Sequence, residues 1–74
     1  MAYNRENFLL RVLKMQKEVL EIQELHTGIP LAVIYRDYIQ KKYNISYSTF
    51  NNWLSIPAGR ELEKIKQRNQ NTNH

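Results

Sequence analysis

The chain has 74 residues, with 11 Lys or Arg against 7 Asp or Glu, a net charge of +4 and no cysteine. This length supports one domain with a modest core and leaves little room for a large enzyme pocket. Without thiols there is no disulfide staple and no thiolate metal site, and His26 and His74 stand too far apart in sequence to suggest zinc.

Gly28 with Pro30, and Pro57 with Gly59, are the only glycines and prolines, and both pairs read as punctuation. They cut the chain into blocks at about 4–27, 30–55 and 57–68. In the first block Phe8, Val12, Met15, Val19 and Ile22 recur at alternating spacings of four and three. Leu9, Leu13 and Leu20, with Leu10 and Leu25 alongside, widen that stripe. Asn4 is placed to cap the helix, Glu6 suits its positive end, and Gly28 fits a left-handed stop before Ile29 and Pro30. The block therefore predicts one long helix over 4–26. Its seven-residue rhythm leaves two uses open: covering the rest of its own chain, or forming a homodimer seam through positions such as Val12 and Val19.

The second block opens on Pro30, suited to a first helical turn, and predicts a helix over 30–43. Leu31, Ile34, Tyr35, Tyr38, Ile39 and Lys42 share its expected inner face, while Arg36, Asp37, Gln40 and Lys41 face water. Asn44 tolerates the left-handed conformation that a sharp turn requires. Ser46 then caps a short helix over 46–55 by accepting the N–H of Ser48 or Thr49, and Phe50, Trp53 and Leu54 form its inner face. The third block, with Ala58, Leu62 and Ile65 at helical spacing, predicts a fourth helix over 58–68. Its charged residues Arg60, Glu61, Lys64 and Lys66 read as a solvated face with ion pairs such as Glu61–Lys64. Residues 69–74 are wholly polar and read as a disordered tail. The expected architecture is all-α: a single four-helix domain over 1–68, with a long N-terminal helix and a central two-helix unit at about 30–55.

The run Ile39-Gln40-Lys41-Lys42-Tyr43-Asn44-Ile45-Ser46-Tyr47-Ser48-Thr49-Phe50-Asn51-Asn52-Trp53-Leu54 resembles the helix-turn-helix of bacterial transposase, resolvase and phage-regulator DNA-binding domains. It departs from them in having Gln40 where a small residue is usual. The longer run through Pro57-Ala58-Gly59-Arg60-Glu61-Leu62 is similar to short uncharacterised bacterial proteins, a likeness that implies no activity. The helix-turn-helix resemblance implies that the second helix enters the major groove of double-stranded DNA. Its outward residues Tyr47, Ser48, Asn51 and Asn52 are then the candidates for base contact, since Asn pairs bidentately with adenine and Ser contacts bases or phosphates. Arg36, Lys41, Lys42, Ser46, Arg60 and Lys64 are the phosphate-contacting candidates.

Charge supports the same reading. The helix over 47–55 contains no Lys or Arg, but residues 30–55 and 57–74 each carry +2, whereas residues 1–29 are neutral. The excess charge thus flanks the candidate reading helix.

Other features take blander readings. Trp53, Tyr35 and Tyr38 read as core residues with polar edges, although five tyrosines also leave single-strand stacking open. His26 suits the negative end of the first helix, and Asp37 has no nearby His or Ser. No Gly-rich phosphate loop or paired-carboxylate motif is present, so no catalytic residue, metal, cofactor or small-molecule substrate is expected. No apolar run approaches a membrane span, and the sequence opens without a signal peptide's order of basic then apolar residues, so the expected location is cytoplasmic. Two functions remain: a small DNA-binding protein, serving as a transcriptional regulator or mobile-element accessory factor, or a helical interaction or dimerisation module.

Overall fold

The computed structural model describes the backbone of residues 4–71 and the side chains of residues 4–67. Among the described residues there are four helices and no strand. They are α1 (Arg5–Leu25), α2 (31–43), α3 (Tyr47–Ser55) and α4 (Ala58–Asn71). α2 is interrupted by one π-helical turn, Tyr35–Ile39, between the α-helical pieces Leu31–Ile34 and Gln40–Tyr43.

Each boundary has a local cause. The Asn4 side chain accepts the Asn7 N–H at 3.0 Å and starts α1. The other end comes one residue before the expected 26: His26 is the cap, and Gly28 takes φ +86° two residues later. Pro30 is the N-cap of α2, one residue outside it. Asn44 closes α2 at φ 53° and ψ 49°, the left-handed conformation expected of it, with its N–H on the Gln40 carbonyl at 2.9 Å. Ser46 caps α3 through the Thr49 N–H at 3.2 Å. α4 continues to Asn71, past the expected end at 68, while 72–74 and the Arg68 side chain lie outside the described residues.

Two apolar clusters hold the helices together. Met15 and Val19 of α1 pack with Ile34, Ile39 and Tyr43 of α2 and Phe50 of α3. Leu9 and Val12 of α1 pack with Ala58 and Leu62 of α4. Trp53 is packed against both, with its ring edge-on to Phe8 at 5.6 Å and to Tyr43 at 6.4 Å. Full burial of a side chain such as Leu9, Met15, Ile34 or Phe50 contributes about 1.5–3 kcal/mol each.

Several expectations change. Val12 and Val19 are buried in the chain's own core, so a homodimer seam cannot run through them. Leu10, Leu20 and Leu25 lie outside the buried stripe and are exposed. On α2 the π turn keeps Ile39 on the inner face, as expected, but turns Tyr38 out: Tyr38 is 42% exposed, Leu31 is exposed too, and Lys42 points to solvent and Glu18. Glu61 pairs with Arg5 across the α1–α4 seam instead of with Lys64.

Candidate nucleic-acid interface

The unit formed by α2, the Asn44–Ser46 turn and α3 is locked from three sides. Tyr35 sends its hydroxyl back to the Ile45 carbonyl at 2.7 Å, pinning the turn to the middle of α2. Its ring meets Tyr47 at 5.2 Å and Phe50 at 5.4 Å. From α1, Arg11 Nη2 donates to the Tyr43 carbonyl at 2.7 Å, and Gln16 Nε2 donates to the Trp53 and Ile56 carbonyls at 2.7 and 2.8 Å. The Tyr43 and Trp53 carbonyls lie in the last turns of α2 and α3, where intrahelical partners run out; the Trp53 and Ile56 carbonyls also accept the Ile56 and Ala58 N–H groups. A cation at the end of α2 also suits its dipole. The long helix thus acts as a splint for the two-helix unit.

With Phe50 turned inward, α3 presents Ser48, Asn51, Asn52 and Ser55 to solvent as one outer face. The Asn51 and Asn52 side-chain amides have no hydrogen-bond partner among the described residues. Tyr47 sits on the flank of this face, 43% exposed, with its ring stacked on Phe50 at 6.0 Å. All four base-contact candidates are therefore accessible on one short helix. Ser46 is already engaged, accepting from the Thr49 N–H and donating to Thr49 Oγ1 at 3.1 Å.

The basic candidates separate into two groups. Arg36 pairs with Asp37 at 3.1 Å and Lys42 with Glu18 at 2.8 Å, so part of their charge is compensated. Lys41, in the last turn before Asn44, and Arg60 and Lys64 on α4 are exposed and make no ion pair among the described residues. Lys64 lines a shallow pocket with Arg5, Glu61 and Ile65 on the α1–α4 seam, not on the outer face of α3.

Arg11 was not among the candidates drawn from sequence. Its guanidinium carbon lies 5.8 Å from the Tyr43 ring centroid and 5.7 Å from that of Trp53, within cation–π range of two aromatic rings. It borders an open groove of about 570 Å³ lined also by Asn7, Phe8, Tyr43, Asn44, Ile45 and Trp53. The available signal was its spacing, three residues after Phe8 and beside Val12, where a long basic side chain skirts an apolar stripe.

Among the described residues no group of His, Cys, Asp or Glu is placed to hold a metal ion, and no helix is long and apolar enough to cross a membrane. No family model, curated protein or solved structure matches the chain.

Proposed function

We propose that this chain binds double-stranded DNA through α3, in the role of a small transcriptional regulator or an accessory factor of a mobile element. The observation that carries the reading is the outer face of α3. Ser48, Asn51 and Asn52 stand exposed side by side on a helix whose ends are fixed by Ser46 and Gln16. Amide side chains with no hydrogen-bond partner among the described residues, on a rigid short helix, suit the adenine edge in the major groove. Lys41 and the α4 cations Arg60 and Lys64 supply phosphate contacts at the margins.

A selection from a random duplex pool, followed by a polarisation titration of the enriched site, tests this. About three phosphate contacts give a salt slope near −2.7, and hence about a fortyfold loss of affinity from about 50 to about 200 mM salt. Asn51→Ala with Asn52→Ala removes about 1–3 kcal/mol of discrimination per lost base contact and leaves the slope unchanged. Absence of binding at micromolar protein in low salt rejects the proposal.

One observation favours a second reading, an interaction or homodimerisation module. Leu20 and Leu31 are exposed and line an open groove of about 360 Å³ with Leu54 and Ile56. A chain that fails to bind DNA but sediments as a dimer, dissolved by Leu20→Glu, would replace the first reading with this one.

A further inference from the structure

We infer that Arg11 seats a backbone phosphate of duplex DNA in the groove beside the α2–α3 turn, so that the long helix takes part in binding. This rests on the proposed DNA-binding role of α3.

Four observations converge on the groove. The guanidinium is held in place by its hydrogen bond to the Tyr43 carbonyl and by the rings of Tyr43 and Trp53. It has no carboxylate partner among the described residues, unlike Arg36 and Lys42. Most of its N–H donors are therefore uncommitted, in the fork geometry that suits phosphate. The walls add the side-chain amides of Asn7 and Asn44. Finally, the groove is open to solvent, which fits a ligand that remains mostly outside the protein, as a duplex strand does.

Its position links it to the proposed base-reading face. Asn44 belongs to the turn, Trp53 forms a wall, and Asn52 immediately precedes Trp53 on α3. A DNA strand whose base edges meet Asn52 carries its sugar–phosphate chain past this wall. A prepositioned cation there fixes register without reading sequence. The neutral total charge of residues 1–29 hides this contribution, because Arg11 is cancelled only in the sum and not by a neighbour.

Three variants test the inference with a mixed-sequence duplex of about 16 base pairs, titrated between about 50 and about 200 mM salt. Arg11→Gln is expected to weaken binding about five- to tenfold at the lower salt and to reduce the slope by about 0.9, equally for unrelated sequences. Asn7→Glu keeps the Arg11 side chain but puts a carboxylate on the groove wall one helical turn before it, where it competes with a phosphate for the guanidinium and repels it; it is expected to weaken binding by at least about tenfold. Lys17→Gln, an equal charge loss at an exposed α1 position that does not line the groove, is expected to keep the wild-type slope. Trp53, the only tryptophan, gives a local readout: saturating duplex changes its emission in wild type, and the change is smaller in Arg11→Gln. Thermal melts by circular dichroism confirm that each variant is folded, and if Arg11→Gln is not, Asn7→Glu decides. Wild-type affinity and slope in Asn7→Glu or in folded Arg11→Gln, with duplex still bound, overturn the inference and leave the DNA reading standing. Absence of duplex binding by the wild type removes both.

Discussion

Glu18 joins two helices through one carboxylate. Oε1 accepts the Tyr43 hydroxyl at 2.5 Å and Oε2 accepts from Lys42 Nζ at 2.8 Å. Burial pushes the Glu18 carboxyl up, but the hydrogen bonds from Lys42 and Tyr43, with the charges of Lys42 and Lys14, outweigh it and hold the pKa below the ordinary 4.5. Tyr43 moves the other way: burial and the adjacent carboxylate raise its phenol, so it stays a donor through neutral pH. A lowered carboxylate pKa contributes stability that is present above the unfolded value and is lost as pH falls through the folded one. Glu18→Gln is therefore expected to cost about 1 kcal/mol at pH 7, about 4–8 °C in a domain this size. In thermal melts the gap to wild type narrows as pH drops below 4.5. A gap that stays constant to about pH 3 would show that the carboxylate's charge plays no part.

At the scale of elements, the most informative feature is the π turn in α2. A π turn accommodates one extra residue inside a helix. Here it lets Ile34 and Ile39, five apart, both face the core, with Ile39 and Tyr43 following at ordinary spacing. Deleting Asp37, which is exposed and whose side chain bonds only to Arg36 among the described residues, converts five to four and restores a regular helix with the same inward residues. The deletion is expected to keep a cooperative melt, with stability changed by about 1 kcal/mol or less. Deleting Lys14 from the regular helix α1 instead rotates everything beyond it by about 100°. That displaces Met15 and Val19 at about 2–5 kcal/mol each and should abolish folding. A Lys14 deletion tolerated as well as the Asp37 deletion would remove this account of the π turn.

The same element shows what could be read from sequence. The caps and turns at Asn4, Gly28, Asn44 and Ser46 were legible because each depends on one side chain or one φ angle. Ile39 was legible as an inward residue, but the exclusion of Tyr38 was not, because a regular period from Ile34 and Tyr35 places Tyr38 inward as well and only the π turn, set by packing around Ile39, turns it out. The outer face of α3 follows directly from Phe50, Trp53 and Leu54 turning inward. The roles of Arg11 and Gln16 escape a hydrophobic pattern, since their partners are backbone carbonyls more than 30 residues away.

For the whole molecule, the question is whether two clusters make one cooperative unit. Leu9, Val12, Ala58 and Leu62 fasten α4 to the first half of α1, while the other cluster gathers α2 and α3 on its second half. Two links cross between them: the continuous helix α1, and Trp53, which packs against both groups while Gln16 holds its carbonyl. In so small a domain neither cluster buries enough apolar surface to stand alone. Leu9→Ala, in the α4 cluster, is therefore expected to cost about 2–5 kcal/mol and to destabilise α2 and α3 equally. Urea unfolding followed by far-ultraviolet circular dichroism, which reports all helices, and by Trp53 fluorescence, which reports the junction, should give coincident midpoints before and after the substitution. The DNA reading requires this coupling, because a face on α3 splinted by α1 is rigid only while α1 itself is fastened. A circular dichroism midpoint that falls while the Trp53 midpoint stays would mean that α4 detaches independently. The reading unit would then be α1 to α3 alone, with Arg60 and Lys64 removed from any phosphate contact.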